Sequence, residues 1–211
     1  MTRAKRTFDI SLSVGGLLLL WPLFLLIALL IKAEDDGPVF FSQKRAGLGG
    51  LPFTIWKFRT MVPNAESLGP DLTSSDDHRI TRVGARLRDL KLDELPQLLN
   101  VILGDMTLVG PRPEVSKYVA MYTPEQRKVL ELVPGVTDRA SIMFADEGVS
   151  LAAATEPERL YLERIMPEKI RVNLEYARSA TVLNDLKVIV DTVRHLVHRP
   201  GSETNPATIA G

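Results

Sequence analysis

Two adjacent carboxylates, Asp93 and Glu94, begin the stretch with the most chemically useful residues, LDELPQLLNVILGDMTLVGPRP. Apolar side chains follow at the spacing of a helix with one buried face, namely Leu95, Leu98, Leu99, Ile102 and Leu103. Asp93 is the expected N-cap, Pro96 falls in the first turn, and Gly104 ends the helix. The start of a helix is the positive end of its dipole, which favours ionised carboxylates and bound phosphate.

The chemistry open to this pair is attack on phosphorus. An ionised aspartate is a nucleophile, so Asp93 is the candidate catalytic residue. Mg²⁺ commonly binds one or two carboxylates together with phosphates, so Glu94 and Asp93 are the candidate metal ligands and Mg²⁺ is the expected cofactor. Spacing alone leaves a second interpretation, because an acidic helix start is more often only a cap.

Basic residues that could bind phosphate lie on both sides of the pair. Arg88 precedes it, and Arg112 follows between two prolines in GPRP, where both neighbours restrict the backbone. Lys57 and Arg59 share one face of a predicted strand and are about 7 Å apart along it, which suits one anionic group. The alternative for Lys57 and Arg59 is a polar strand end in water.

The elements that must position these residues can be read from the sequence. GPVFFSQKR and LPFTIWKFRTM predict two strands of a β-hairpin around a glycine-rich turn. Residues 62–82 read as a loop. A periodic helix near the C-terminus has an apolar stripe that we expect to pack against the domain, namely Val182, Leu183, Leu186, Ile189, Val190, Val193, Leu196 and Val197. Its basic end, which includes Arg194 and Arg199, has anionic lipid headgroups as an alternative partner.

The N-terminal segment is apolar enough for a membrane. No charged residue lies between Ile10 and Ile31, a helical length of about 33 Å, which matches a hydrocarbon core of about 30 Å. Pro22 divides this run into two legs of about 18 and 15 Å. The basic residues at its two ends are balanced and give no orientation. A kinked single span and a helix that enters, bends and leaves on the same side are both compatible with this pattern.

Composition limits the class of protein. The chain has 211 residues and 45% apolar content, enough for one domain with a core. Lysine plus arginine equals aspartate plus glutamate at 26 each, so net charge gives no reason to expect nucleic acid as a partner. The absence of cysteine excludes disulfides and thiolate sites and fits a reducing compartment. We therefore expect a membrane-attached domain on the cytoplasmic side.

Five blocks of the sequence, in order, resemble the bacterial sugar transferase family of monotopic polyprenyl-phosphate phosphoglycosyl transferases. They are KRTFD, GPVFFSQKRAG, FTIWKFRTM, LDELPQLLNVILGDMTLVGPRP and VPGVT, within about residues 3–140. The chain is similar to the small form, which consists of the catalytic core. The resemblance implies a helix-rich mixed α/β fold with a re-entrant helix broken at Pro22, a short β-hairpin and amphipathic helices at the membrane interface. The implied division is a membrane hairpin over 1–36, a cytoplasmic catalytic domain over 37–199 and a disordered tail over 200–211.

The same resemblance implies transfer of a sugar phosphate from a UDP-sugar to undecaprenyl phosphate, with release of UMP. Asp93 would be the nucleophile that forms a covalent phosphosugar enzyme, and Glu94 would help to bind Mg²⁺. Arg59, Arg88 and Arg112 would bind phosphate or be structurally essential, with Lys57 a weaker candidate. The expected location is the cytoplasmic face of the bacterial inner membrane, and a homodimer is compatible with the sequence.

Two departures from the family pattern stand out. Trp21 occupies the position before Pro22 where relatives commonly have serine. After VPGVT the chain has DRASIMFADE, in which Arg139 is the candidate replacement for a basic residue of the family. Two rival hypotheses are a membrane-anchored adaptor without activity, and a hydrolase that uses the same aspartate and needs no lipid acceptor.

Overall fold

The computed structural model describes residues 1–69, 73 and 77–198 and has a helix-rich mixed α/β fold. The predicted disordered tail lies outside the described residues, as do parts of the predicted loop over 62–82. The strands are β1 (Phe40–Ala46), β2 (Pro52–Phe58), β3 (Thr107–Val109) and β4 (Gly135–Thr137). The helices are α1 (Arg3–Glu34), α2 (Arg82–Asp89), α3 (Gln97–Leu103), α4 (Ser116–Val119), α5 (Arg139–Met143), α6 (Glu147–Ala153), α7 (Pro157–Leu160), α8 (Met166–Ala177) and α9 (Val182–His198).

Helix α1 is long and apolar enough to cross a membrane, and no other helix in the described part of the chain is. Its buried and partly buried residues recur every three or four positions from Asp9 to Ile31, so one side lies along the rest of the protein. The other side exposes apolar side chains to the surroundings, among them Leu18, Leu19, Trp21, Leu25 and Leu26. An exposed apolar surface of this kind indicates contact with a membrane or a partner.

The predicted interruption at Pro22 is absent from the backbone. Every residue from Arg3 to Glu34 is helical, so α1 is one helix and not a helix, a break and a second helix. Proline removes a single backbone donor, the one that would bond to the carbonyl of Leu18. The turns on either side keep their own hydrogen bonds, and the helix therefore continues.

The predicted hairpin is confirmed. Strands β1 and β2 pair antiparallel, with Gln43 opposite Ile55, while β3 and β4 form a separate parallel pair. Ile55 packs in a cluster with Val101 and Met106, which joins the hairpin to α3 and β3. A second cluster joins α1 to the end of β2 through Ile27, Ile31 and Phe58, with Leu87 of α2. The third cluster lies between α4, α6 and α8.

Helix α3 exposes part of the stripe that the periodicity predicted to be buried. Its fully buried residues are Gln97, Asn100 and Val101, whereas Leu103 is 72% exposed and Leu99 is also exposed. Gly104 ends the helix in the left-handed region, at φ 103°, as predicted. Leu95 and Leu98 are partly buried and pack against core clusters, so the pattern identified the helix and only part of its buried face.

A buried polar network attaches the start of α1 to β3 and α9. The Lys5 ammonium lies 2.6 Å from Oδ2 of Asp185 and 3.5 Å from Oδ1 of Asp9. Both carboxylates are fully buried, and the hydroxyls of Thr107 and Tyr176 donate to them at 2.5 Å and 2.6 Å. Buried charges are tolerated when they are paired and hydrogen-bonded, so this network fixes the first turns of α1 on the domain.

Helix α9 packs through only part of its predicted apolar stripe. Asp185 and Val188 are buried, whereas five apolar residues of the stripe are exposed, namely Leu183, Leu186, Val190, Val193 and Val197. The contacts of Asp185 with Lys5 and Tyr176 set the rotation of the helix and direct these residues outward. Of the basic end, Arg199 lies outside the described residues.

Candidate active site

Asp93 lies in a 3-10 turn, Leu92–Glu94, that precedes α3, so it is not the N-cap of that helix. The turn begins after Lys91, which adopts the left-handed conformation at φ 54°. Asp93 is only 5% exposed, and its Oδ1 has no hydrogen-bond partner within the described structure. Buried polar atoms are nearly always paired, so an unpaired carboxylate oxygen in a cavity wall suggests a group that reacts with or binds a ligand.

Glu94 is held by two cations. The guanidinium of Arg112 donates to both carboxylate oxygens, with Nη1 2.9 Å from Oε2, and the Lys57 ammonium lies 2.9 Å from Oε1. The two-pronged arginine contact fixes the plane of the carboxylate as well as its position. The structure therefore brings together three of the predicted site residues, Glu94, Arg112 and Lys57, beside Asp93.

The environment separates the acidities of the two carboxylates. Burial by itself would raise the pKa of Glu94, but the positive charges of Arg112 and Lys57 outweigh it and hold this pKa well below its usual range. Burial and the neighbouring charge of Glu94 raise the pKa of Asp93, and Lys57 offsets only part of that effect. Glu94 is thus a fixed anion, whereas Asp93 is the more basic carboxylate and hence the better nucleophile.

Two basic residues of the site, Lys57 and Arg88, have shifted pKa values as well. Burial lowers the pKa of Lys57, and Glu94 opposes that shift. Burial also lowers the pKa of Arg88, with Asp93 acting in the opposite direction. The side chain of Arg88 makes no hydrogen bond or ion pair with the residues that the structure describes, so its guanidinium is available to a ligand.

Arg112 lies in the segment that follows β3, residues 110–114, which we call the arm. The amide of Gly110 donates to the carbonyl of Thr137 at 3.0 Å, and the amide of Gly135 donates to the carbonyl of Pro111 at 2.9 Å. A Cβ added to Gly135 would lie 2.1 Å from the nitrogen of Gly110, so only glycine permits the two backbones to approach this closely. This contact sets where the arm begins.

These residues line a cavity of about 850 Å³. Its wall near the carboxylates carries Lys57, Arg88, Asp93, Glu94 and Arg112, and the remainder mixes apolar side chains with polar and charged ones, Glu114 and Tyr161 among them. Ligand pockets for small molecules and cofactors have volumes of about 300–1,000 Å³. The cavity is therefore large enough for a nucleotide-sized ligand whose phosphates lie against the basic wall.

Two predicted site residues lie elsewhere. Arg59 follows the last residue of β2, and its guanidinium binds the carboxylate of Asp35, with Nη1 2.8 Å from Oδ2, and the carbonyl of Pro38. It therefore fixes the end of α1 to the hairpin and does not share an anion with Lys57, contrary to the prediction from strand alternation. Arg139 is exposed and lines a separate, smaller pocket with Arg171 and Glu175. From DRASIMFADE it is Ser141, Ile142 and Phe144 that reach the main cavity.

The sequence interpretation missed residues that hold the elements of the site in place. Asn100 of α3 accepts a hydrogen bond from the amide of Trp56 at 3.1 Å and donates to the carbonyl of Thr54 at 2.7 Å. It thereby joins α3 to β2, the strand that carries Lys57. The sequence signal for Asn100 was a polar residue between the apolar positions of a helix. Glu114 and Tyr161, which also contact each other, gave no local signal because 47 residues separate them.

The residues present fit Mg²⁺ only in combination with a ligand. No group of three or more His, Cys, Asp or Glu side chains within the described ranges could hold a metal ion. Oδ1 of Asp93 is unpaired, and Glu94 uses three of the roughly four acceptor directions of a carboxylate. Mg²⁺ usually takes one or two carboxylates and completes its shell with water and substrate phosphates. Asp93 and Glu94 are sufficient for such a site.

Known proteins match the chain over nearly its whole length. The model of the family described as bacterial sugar transferase matches residues 1–199. A UDP-glucose:undecaprenyl-phosphate glucose-1-phosphate transferase of Caulobacter vibrioides is 39% identical over 198 residues, or 92% of this chain and 69% of the relative. The sugar transferase EpsL of Bacillus subtilis is 36% identical, over 97% of this chain and 93% of the relative.

A third relative is much longer than the region that it shares with this chain. It is the UDP-N-acetylgalactosamine-undecaprenyl-phosphate N-acetylgalactosaminephosphotransferase of Aeromonas hydrophila. The two are 35% identical over 92% of this chain, which is 43% of the relative. The names of the Caulobacter and Aeromonas relatives thus differ in the sugar and agree in undecaprenyl phosphate.

Proposed function

Because the chain belongs to the bacterial sugar transferase family, we propose that it transfers a sugar phosphate from a UDP-sugar to undecaprenyl phosphate and releases UMP. Such a reaction is the first membrane step in the assembly of a polysaccharide. The observation that supports it most directly is the unpaired Oδ1 of Asp93 in a cavity wall that also carries Lys57, Arg88 and Arg112.

The reaction has two displacements at one phosphorus atom. An oxygen of Asp93 attacks the phosphorus that bears the sugar, a new P–O bond forms, and the bond to the bridging oxygen breaks so that UMP leaves. A phosphate oxygen of undecaprenyl phosphate then attacks the same phosphorus and displaces the Asp93 carboxylate. The product is undecaprenyl diphosphate sugar, and the enzyme returns to its starting state. A covalent intermediate of this kind divides one difficult transfer into two easier ones.

The surrounding residues have distinct tasks in this scheme. Arg88 has no ion pair within the described part of the chain and can bind the diphosphate, while Arg112 and Lys57 keep Glu94 ionised and oriented. When bound, Mg²⁺ would supply positive charge to the phosphate oxygens from a position next to Glu94 and Asp93. The raised pKa of Asp93 makes its ionised oxygen a stronger nucleophile than an ordinary carboxylate.

The proposed location is the cytoplasmic face of a bacterial inner membrane, with both ends of α1 on that side. At its start, Arg6 donates to the carbonyls of Val101 and Ile102 at 2.5 and 2.9 Å. At its end, the Glu34 carboxylate accepts from the amide of Arg82 at 2.8 Å, and Asp35 binds Arg59. A helix tied at both ends to one catalytic domain cannot leave its ends on opposite sides of a bilayer. This supports a re-entrant arrangement in which α1 begins and ends on the same side of the membrane, without the predicted break in its helical backbone at Pro22.

The test of the activity uses purified protein with a panel of UDP-sugars, Mg²⁺ and undecaprenyl phosphate, and measures UMP. At least one donor should give continuous UMP release that depends on the acceptor. Without acceptor, the same donor should give a burst of at most one UMP for each protein, because the covalent intermediate cannot be discharged. Omission of Mg²⁺ should slow both phases.

The rival hypotheses give different results in the same assay. A hydrolase would release free sugar phosphate continuously in the absence of undecaprenyl phosphate. An adaptor would give no UMP with any donor, and that outcome would reject the proposed function.

Cysteine labelling tests the topology, because the chain has no cysteine of its own. Thr2→Cys and Asp36→Cys place exposed thiols near the two ends of α1, and Glu131→Cys reports the side of the catalytic domain. In intact cells, all three thiols should resist a membrane-impermeant maleimide, and all three should react after lysis. Labelling of position 2 or 36 from outside, with position 131 protected, contradicts the re-entrant arrangement.

A further inference from the structure

Tyr161 is a buried residue in the wall of the main cavity to which the proposed reaction assigns no step, and its hydroxyl donates a hydrogen bond to the carboxylate of Glu114, which also lines the cavity. It begins a π-helical turn, Tyr161–Ile165, between α7 and α8. Such turns add one residue to a helix and occur frequently at functional sites. The ring of Tyr161 lies 5.0 Å from that of Tyr118 in the third core cluster, so packing fixes the direction of its hydroxyl.

Glu114 is the last residue of the arm that carries Arg112. Its Oε1 accepts from the amide of Val115 at 2.8 Å and lies 3.8 Å from the guanidinium of Arg45. Its backbone carbonyl accepts from the amide of Ala46 at 2.9 Å. Glu114 therefore fixes the arm to β1 through its backbone and to the π-helical turn through its side chain.

The arm is thus anchored on both sides of Arg112. Gly110 and Gly135 hold its start, and Glu114 holds its end. Pro111 and Pro113 restrict the backbone on either side of the arginine, so a shift at one anchor is passed on to its Cα. The guanidinium of Arg112 in turn keeps the plane of the Glu94 carboxylate.

We propose that Tyr161 is a positioning residue for Arg112, acting through its hydrogen bond to Glu114. The proposal rests on the proposed function, since it assigns Tyr161 a role in the reaction at Asp93. Misplacement of a catalytic group by about 1 Å can lower a rate by about 10²-fold. Loss of one of two anchors, with Arg112 still bound to Glu94, should have a smaller effect.

The protonation state of Tyr161 agrees with this role. Burial and the nearby charge of Glu114 raise the pKa of its hydroxyl. It therefore remains a neutral donor throughout the pH range in which the enzyme is expected to work. The acceptor is the second oxygen of Glu114, the one that the amide of Val115 does not use.

Tyr161→Phe removes the hydroxyl and leaves the ring in its cluster. We expect kcat/KM to fall about tenfold, mainly through kcat, since the contribution of Arg112 is largest in the transition state. Tyr122→Phe is the matched control: Tyr122 is buried in the same cluster, and its hydroxyl makes no hydrogen bond to the described residues. This control should change kcat/KM less than twofold.

Glu114→Gln keeps a hydrogen-bonding partner for Tyr161 and should retain most of the activity that Glu114→Ala loses.

A double-mutant cycle distinguishes positioning from general destabilisation. In an Arg112→Lys background, Tyr161→Phe should cost less than about twofold, because the geometry that it protects is already lost. Additive effects of the two substitutions would overturn the proposal, as would unchanged kinetics of Tyr161→Phe in an active enzyme.

Hydrogen exchange provides a readout that does not depend on turnover. In Tyr161→Phe, but not in Tyr122→Phe, exchange should accelerate at the amides of Val115 and Ala46, which donate to Glu114. Unchanged exchange there overturns the anchoring role even if no donor substrate is found. Absence of UMP from the wild-type protein, by contrast, rejects the proposed function. The exchange measurement still tests whether Tyr161 anchors Glu114.

Discussion

Asp93→Asn is expected to lower the rate of UMP release at least about 10³-fold, the largest effect of any single substitution in this chain. The variant keeps the size of the side chain but removes the negative charge and replaces one of the carboxylate oxygens with an amide. A neutral amide is a far weaker nucleophile towards phosphorus than a carboxylate. A 10³-fold loss corresponds to about 4 kcal/mol of transition-state stabilisation.

Mass spectrometry should show the reason for this loss. Wild-type protein incubated with donor and without acceptor should gain the mass of one sugar phosphate, on the peptide that contains Asp93. Asp93→Asn should gain none. Asp191→Asn is the matched control, because Asp191 is 60% exposed and the one ion pair that it forms among the described residues, with Arg194, is 3.9 Å long. An adduct on another residue, or normal turnover by Asp93→Asn, would contradict the proposed nucleophile.

The local elements of this fold could be predicted because each has a signal within a short stretch of sequence. The hairpin follows from alternation around a glycine-rich turn, and the end of α3 follows from Gly104. The apolar run predicted the long helix α1. The continuity of α1 through Pro22 could not be predicted, because the loss of one donor allows either a break or a continuous helix.

The orientation of elements depends on contacts that periodicity does not encode. In α3 the buried side contains Gln97 and Asn100, whereas only part of the apolar stripe is buried, since Leu98 packs against a core cluster and Leu99 and Leu103 are exposed. Lys57 and Arg59 were predicted to share an anion, but β2 ends at Phe58 and Asp35 captures Arg59. The position of Arg59 was decided by a residue 24 positions earlier in the sequence.

The sequence predicted the reactive residues of the site more completely than the residues that hold them in place. Adjacent carboxylates and an arginine between prolines were visible in the sequence, and the structure brings Glu94 and Arg112 into contact. The second anchor of the arm, Tyr161, could not be found, because nothing near Glu114 in the sequence indicates its partner. Arg139 was chosen from its position after VPGVT, and α5 directs it away from the cavity.

Substitution of Arg112 is expected to give the second largest loss of activity. Two variants, Arg112→Ala and Arg112→Lys, distinguish the role of its positive charge from that of its forked guanidinium. Arg112→Ala should lower kcat/KM by about 10²–10³-fold, because Glu94 loses its two-pronged partner and the phosphates lose a positive charge. Arg112→Lys keeps a point charge but cannot form the fork, so a fall of at least about tenfold is expected. Arg159→Ala, at an exposed arginine with only surface ion pairs, is the control and should have little effect.

The pH dependence distinguishes the two variants further. Asp93 and Glu94 titrate as an interacting pair, and activity requires the ionised pair, so the rate falls as pH drops through the raised pKa of Asp93. Removal of a positive charge makes the pair hold its protons more tightly, so the acid limb of kcat/KM should move to higher pH in Arg112→Ala. In Arg112→Lys the charge remains and the limb should stay near its wild-type position while the rate falls. An acid limb that moves equally in both variants would show that the fork and not the charge controls Glu94.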